Sequence, residues 1–460
     1  MRLLAASANS TFLGDNWSIT VEVKDIVRED DGERQELVLT ITASAEEVDE
    51  CARKFFNEIA QKDIPGFRKG KAPRAVLEQT VGGHERAMGG VAEMIINELA
   101  FKAIDDADVV FIGGNGDDDP QFNVEEQVEE GKPFTFTVSG TVAPVMKLTS
   151  YDPVSIEMPP EEATDAEVED QLRELQDYYH SFEDITDPDH EAEMGDYAMV
   201  TMTVTNHDRV ISGLRGAKRM VGLGEGTMPA SFDEQLIGAK AGEIREFDFE
   251  AKDEDGSSEF GDGDLHAVVE VNSFRKRILP EIDDELAVKV GCADVEDMRK
   301  QLRTAINIQK SKDLPKLMVD RAVEKLIERL DGEVPAYYVD FIRQDVGREL
   351  MKSLEEQGTN LQQWLLERRG DADKIKEQVA SEAQRRAAID CALEALFAEK
   401  GLEVTDEDVD KMFEGDDEAE TREAWEKSNR MANIRKMCRQ SKATKWLVDN
   451  AEVTVVEETK

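Results

Sequence analysis

The chain has 460 residues, which at about 150 residues per domain suggests roughly three domains. Hydrophobic residues make up 40% of it, enough for packed cores, so a wholly disordered chain is excluded. It carries 56 basic and 102 acidic residues, a net charge of −46, and only 6% of its residues are aromatic. Such a surface repels nucleic acids and anionic membranes and offers few rings for stacking on bases. Contact with an anionic partner must therefore use a local basic patch.

The residues 1–150 predict an N-terminal α+β domain. Apolar and polar residues alternate from Ile19 to Val23 and again from Leu37 to Ile41, as in half-buried strands, with a turn at Gly32 between them. A helix with an apolar face follows, and Pro73 begins a second one. The first 16 residues have too short an apolar stretch for a signal peptide, so we expect a loose tail there.

Residues 151–278 predict a linker helix and then a β-rich domain with its core at 195–278. Thr164 followed by Glu167 is a capping-box pattern at the start of the helix. The acidic, glycine-rich stretch 252–264 lacks the spacing of a calcium loop, so we expect a solvated hairpin tip.

Residues 279–460 predict helices throughout. Their apolar stripes repeat every three or four residues without coiled-coil heptads, as from Leu314 to Leu330. Such helices form either a compact bundle or extended hairpins whose apolar faces stay partly open to bind unfolded chains.

Motifs for covalent, metal or nucleotide chemistry are missing from the sequence. The five histidines are scattered, and there is no GxSxG motif. The stretch 66–71 has three residues between its glycines, whereas a Walker motif needs four. We therefore expect no cofactor and no metal. The four cysteines form no CxxC pair and no apolar run exceeds four residues, which favours a cytoplasmic protein without a membrane span.

A basic loop lies between the first two predicted helices. Residues 62–74 contain five basic residues and one acidic residue, a net charge of +4. Gly66 and Gly70 permit tight turns, and Phe67 is hard to bury at the tip of so short a loop. From the residues alone, the loop is either ordinary solvated surface or an anchor in which Phe67 contacts a partner while Arg68 and Lys69 steer it.

The segment Gly66-Phe67-Arg68-Lys69-Gly70-Lys71-Ala72-Pro73 resembles the ribosome-docking signature of the trigger factor family of chaperones. The resemblance implies that Phe67, Arg68 and Lys69 contact a protein and adjacent rRNA of the large ribosomal subunit near the peptide exit. Gly66, Gly70 and Lys71 would shape the loop.

The resemblance continues along the rest of the chain. Gly195-Asp196 and the Gly222–Gly226 segment resemble an FKBP-type prolyl isomerase domain, and Val334-Pro335-Ala336 resembles part of the family's helical domain. The implied fold is α+β and multidomain. It comprises an N-terminal ribosome-binding domain, an FKBP-like β-rich domain and an all-α C-terminal chaperone domain, divided as above at residues 150 and 278.

The resemblance also places a prolyl pocket in the second domain. Its candidate residues are Met202, Ile211, Val221, Met228, Phe232 and Ala267. An FKBP-type site favours the twisted amide in a well-shaped aromatic pocket, and here only Phe232 matches a family ring. Met202, Ile211 and Ala267 stand where rings are usual, although Phe260 is a candidate replacement for a missing tyrosine. We predict prolyl isomerase activity that is weak or absent.

The leading hypothesis is an ATP-independent chaperone that docks at the ribosomal peptide exit, shields new chains, and assists their folding and export. Its partners would be the large subunit, nascent and unfolded polypeptides, and a second copy off the ribosome, with no membrane partner. The alternative is a prolyl isomerase whose helical domain only delivers substrate. A third hypothesis is a free cytosolic chaperone whose basic loop has no partner.

Overall fold

The structure is a computed structural model of the chain. It describes residues 10–14, 17–28, 34–113, 120–206, 209–211, 213–251, 263–367, 372–414 and 421–456. The turn expected at Gly32, most of the hairpin tip expected at 252–264, and Phe260 lie outside these ranges. The chain divides into two compact units. The first unit comprises Met1–Glu157, Met318–Gly358 and Asp373–Thr454, and the second comprises Met158–Leu317, Thr359–Ala372 and Val455–Lys460.

The first unit begins with a five-stranded antiparallel sheet in the order β1-β2-β3-β5-β4. Its strands are β1 (Ser10–Gly14), β2 (Trp17–Arg28), β3 (Arg34–Ala43), β4 (Gln121–Asn123) and β5 (Phe134–Thr141). Ser10 pairs with Val21, so the expectation of a loose tail is wrong for residues 10–14. The remaining residues of that tail lie outside the described ranges.

Three helices bury one side of β3: α1 (Ala45–Ala60), α2 (Arg74–Val81) and α3 (His84–Asp106). The Ser44 hydroxyl accepts from the Glu47 N–H, and the Glu47 carboxylate accepts from the Ser44 N–H, which begins α1 with a capping box. The Phe55 ring packs so closely on Gly90 that a Cβ at this position would clash with it. The first contact begins α1, and the second holds α1 against α3.

The second unit is built around an antiparallel sheet in the order β10-β8-β12-β11, with β7 on β12 and β9 on β8. Its elements follow β6 (Ser155–Met158): α4 (Asp165–Tyr178), β7 (Ser181–Asp184), β8 (Asp196–Asn206), β9 (Arg209–Val210), β10 (Ala217–Gly222), α5 (Ala230–Leu236), β11 (Ile244–Ala251) and β12 (Gly263–Ile278). Alternate residues of β8 and β12 are buried, as period-two side-chain alternation requires. The predicted capping box of Thr164 and Glu167 begins α4.

Helices dominate the remaining chain: α6 (Asp284–Lys289), α7 (Val295–Ile327), α8 (Ala336–Glu356), α9 (Leu361–Glu367), α10 (Ala372–Glu399), α11 (Asp406–Lys411), α12 (Arg422–Lys427) and α13 (Met431–Asp449). The exception is β13 (Glu452–Val455), which pairs with β6, so the prediction of helices throughout is wrong at this end. Among the helices of the described ranges, none is both long and apolar enough to cross a membrane.

The helical part of the first unit shares a core with its α+β part. Tyr338 on α8 is fully buried, and with Ala387 and Cys391 on α10 it packs in one cluster with Ile112. The α+β, β-rich and helical regions expected from the sequence are all present. The first compact unit nevertheless contains both the α+β region and most of the helical region. The boundaries of three separate domains therefore stay a prediction.

Candidate functional site

Two consecutive turns shape the basic loop. The Phe67 N–H donates to the Ile64 carbonyl (3.1 Å), and the Lys71 N–H donates to the Arg68 carbonyl (2.9 Å). Gly66 and Gly70 occupy the third position of each turn with φ of +88° and +74°. A type II turn needs a positive φ there and favours proline just before it, as Pro65 provides in the first turn. Both glycines are therefore required by the backbone.

The loop is tied to the body of the first unit on both sides of its tip. Ile64 is buried in the core, and Ala72 packs against the same cluster. The Gly70 N–H donates to the carbonyl of Ala60, the last residue of α1, at 2.7 Å. Five exposed residues, 65–69, lie between Ile64 and Gly70, and the last three of them form a tip that the fold presents without needing to order it first.

Phe67, Arg68 and Lys69 form this tip. The Phe67 side chain is 42% exposed, an unusual position for an aromatic ring. Lys69 Nζ lies 3.9 Å from Asp63 Oδ1, and both side chains are well exposed. In the described ranges, the Lys62, Arg68 and Lys71 side chains have no carboxylate within ion-pair distance. The tip thus combines an apolar ring with largely unneutralised positive charge.

Arg74, at the end of the basic stretch, is used differently. Its guanidinium lies 3.3 Å from the centroid of the Phe56 ring. It also donates to Glu78 (3.0 Å) and Glu130 (2.7 Å). Arg74 therefore braces α1 and α2, and the charge available to a partner belongs to the loop before it.

The candidate prolyl pocket forms one cluster in the second unit. Met202, Phe232 and Ala267 are 0% exposed, Val221 is 2% and Met228 is 6%. Ile211 is partly buried and packs against them. The six residues are thus brought together, but solvent hardly reaches them. A prolyl ring would have to displace part of this core to touch Phe232.

The surroundings of Phe232 include residues that the sequence analysis missed. The rings of Phe247 and Phe249 on β11 lie with their centroids 5.2 Å from that of Phe232. Because these two rings are two residues apart in a predicted strand, the sequence could have placed both on the same face of the sheet. The next residue, Asp233, is 1% exposed and accepts from the Gly224 N–H at 2.9 Å, and burial raises the pKa of its carboxyl. It holds the glycine-rich turn that follows β10.

A second basic segment was also missed. Helix α13 carries five basic residues and one acidic residue, a net charge of +4. Arg435 contacts Asp105 and Asp108, and Arg439 contacts Asp108 and Glu394. The remaining pairs are Lys436–Asp390, Lys442–Asp408 and Lys445–Asp449. Within the described residues, no group of histidine, cysteine and acidic side chains has the arrangement of a metal site.

Comparisons with known proteins agree with the docking signature. The family model for the bacterial trigger factor protein matches residues 26–175, and the model for its C-terminus matches residues 294–449. The trigger factor of Bacillus cytotoxicus is 30% identical over 380 residues, covering 82% of this chain and 87% of that protein. The trigger factor of a Geobacillus species is 28% identical over 427 residues, covering 92% and 98%.

A solved structure of a trigger factor chaperone, studied for promiscuous substrate recognition, is 22% identical and covers 93% of this chain and 99% of that one, with a TM-score of 0.38. The assignment rests on the sequence matches, which define a multidomain molecular chaperone. The chain belongs to the trigger factor family. The resemblance drawn from the loop is therefore confirmed, and family membership implies interaction with ribosomes and nascent chains.

Proposed function

We propose that the chain docks on the large ribosomal subunit near the peptide exit through Phe67, Arg68 and Lys69, and shields emerging polypeptides there. The observation that carries this proposal is the tip itself, an exposed ring beside unneutralised cations on a loop fixed by two turns. The ring supplies apolar contact area, while the cations steer it toward rRNA. Action in the cytoplasm, and a homodimer off the ribosome, belong to the same proposal.

The negative charge of the rest of the chain should orient the protein on the ribosome. A body of net charge −46 is repelled by rRNA, which favours approach through a segment with exposed, unneutralised cations such as the loop. Because the loop is already ordered, little conformational entropy is lost on binding.

The test is co-sedimentation with ribosomes of the full chain and of the variant Phe67→Ala/Arg68→Ala/Lys69→Ala. We expect the variant to lose most of its binding, on the order of a hundredfold, because it removes the whole contact. A matched control is Arg86→Ala/Phe101→Ala/Lys102→Ala on α3, which changes the same residue types and includes a Phe that is 51% exposed. Equal sedimentation of the docking variant and the wild type would remove the docking proposal.

The FKBP-like domain serves this function as a structural and client-binding domain rather than as an efficient catalyst. What supports this is the burial of the candidate pocket, because a prolyl ring cannot enter a cluster that solvent hardly reaches. The alternative, an isomerase whose helices only deliver substrate, is not favoured by the family match.

A cis/trans assay on a prolyl peptide should show little acceleration over the uncatalysed rate. The conservative variant Phe232→Leu should leave suppression of client aggregation unchanged. Catalysis near the rate of an active FKBP, lost in Phe232→Leu together with the chaperone activity, would favour the alternative.

A further inference from the structure

A third basic segment lies in the second unit. From Arg209 to Gly222 the sequence has four basic residues and no acidic residue, a net charge of +4 within a chain of −46. The segment contains β9 and β10. Neither the docking signature nor the prolyl pocket accounts for its charge.

Two of these cations face solvent without a counterion. Arg215 and Lys218 are exposed, and across the described part of the chain neither has a carboxylate within ion-pair distance. The neighbouring strand offers only hydroxyls there. Lys218 pairs with Thr201, and the Thr203 hydroxyl accepts from the Gly216 N–H at 2.9 Å. Their charge is therefore available to a partner.

The same segment provides an open strand edge and apolar surface. Among the described strands, β10 pairs only with β8. At its other edge the Thr227 hydroxyl bonds the N–H and the carbonyl of Gly222, and no described strand lies beside Lys218 and Met220 there. Met220 on this strand is 39% exposed. On the inner side, Leu214 and Val221 are buried in the cluster of the candidate pocket. Backbone edge, apolar contact and positive charge thus lie on one short segment.

We propose that this edge binds extended client segments that combine acidic with apolar residues. The client backbone would add to β10 as a further strand, and its carboxylates would pair with Arg215 and Lys218. The inference rests on the proposed chaperone function and specifies which clients the domain prefers. A polypeptide fits better than a nucleic acid because the segment has no aromatic residue for stacking and the acidic body repels a polyanion.

The test measures fluorescence anisotropy with the full chain at low salt. The probes are a fluorescein-labelled unstructured peptide in which Glu alternates with Leu, and the same peptide with every Glu changed to Gln. We expect the Glu peptide to bind about tenfold more tightly, as two partly exposed ion pairs allow. The variant Arg215→Gln/Lys218→Gln should lose this preference, and Arg215→Glu/Lys218→Glu should prefer a Lys peptide.

The control variant is Lys276→Gln/Lys289→Gln, which removes two exposed cations from the same unit and should keep the preference for the Glu peptide. Equal binding of both peptides by the wild type, or an unchanged preference in Arg215→Gln/Lys218→Gln, would overturn the inference. So would a single-stranded RNA that binds more tightly than the Glu peptide and depends on the same two residues.

Failure of this inference can be told apart from failure of the proposed function. Ribosome co-sedimentation, and suppression of aggregation of a client with few acidic residues, do not depend on Arg215 or Lys218. If both persist while the peptides bind equally, only the acidic preference is wrong. If the wild type lacks both, the chaperone proposal itself is wrong.

Discussion

The basic loop and helix α13 carry the same net charge of +4, and the fold uses them in opposite ways. Each of the five basic side chains of α13 has a carboxylate partner within the molecule. In the loop, the cations at the tip face solvent. The local charge of a segment therefore does not tell whether its partner lies inside or outside the molecule.

The difference has a geometric cause. A helix turns its side chains onto fixed faces at three- and four-residue spacing, so Arg435 and Arg439 lie on one row and reach the end of α3 together. The loop instead leaves the body between Ile64 and Ala72, where its two turns direct the tip away from the core. Carboxylates in the body of the unit are therefore too far from the tip to neutralise its charge.

The largest effect on stability is expected when the ion pair between α13 and Asp390 is removed. This carboxylate is 8% exposed and accepts from Lys436 (2.8 Å), Tyr338 and Gln440. Asp390→Ala takes the carboxylate away from the partly buried Lys436 ammonium and from two polar groups, which should lower the free energy of unfolding of the first unit by about 3–5 kcal/mol. Chemical denaturation followed by near-UV circular dichroism measures this.

The control for that variant is Asp373→Ala on the same helix, because the Asp373–Lys376 pair is highly exposed. We expect a change below about 0.5 kcal/mol there. Equal losses in the two variants would mean that the Asp390 network adds nothing beyond a surface pair.

The second largest effect is expected from salt, which should weaken binding through the loop but not the internal ion pairs of α13. The screening length falls from about 10 Å at 0.1 M to about 3 Å at 1 M, which acts on exposed charges far more than on buried ones. Ribosome binding through the loop should weaken about tenfold to a hundredfold over this range, as expected for a few contacts to phosphate. Hydrogen exchange of α13 should not accelerate. Salt-independent ribosome binding would show that Phe67 alone carries docking.

How far the sequence predicts these features depends on how local each one is. The loop was predictable because its turns, its ring and its cations lie in a stretch of eight residues, 66–73, with two glycines that set the backbone. The pairing of α13 was not, since Arg435 and Asp105 are separated by 330 positions in the chain. Their contact exists only after α3 and α13 have packed.

In the fold and in the second unit, too, the features with local signals are the ones that the sequence predicts. Alternating patterns and caps predicted β3, α1 and α4, whose signals are local. The strand at residues 10–14 was not predicted. It lies at the edge of the sheet and is held by its pairing with β2, which leaves no signal in the local sequence. The closure of the candidate pocket could not be predicted either, because it depends on how β8, β11 and α5 pack together.

Removing one arginine of α13 should have a smaller effect than removing Asp390. Arg439 is 18% exposed at its side chain and bridges Glu394 to Asp108. Arg439→Ala should cost about 1–2 kcal/mol because it removes charge-assisted hydrogen bonds that water partly replaces. Arg68→Ala in the loop removes no ion pair to any residue that the structure describes, so it should change the free energy of unfolding by less than about 0.5 kcal/mol. Comparable losses would contradict the division between internal and external use.

The smallest expected effect is a change in the stability of α11 with pH, which arises from its contact with α13. The Lys442 ammonium, together with the hydroxyl and N–H of Thr405, lowers the pKa of Asp408 well below its ordinary value. A carboxyl whose pKa is lower in the folded state stabilises the fold above its unfolded pKa, and this stabilisation is lost as pH falls through the folded pKa. Hydrogen exchange in α11, corrected for the intrinsic rate, should therefore accelerate as the pH drops below about 4. Asp408→Asn should remove most of that acceleration, because its side chain does not titrate. If the variant instead kept the full acid response, the contact between Lys442 and Asp408 would not be what couples α11 to α13.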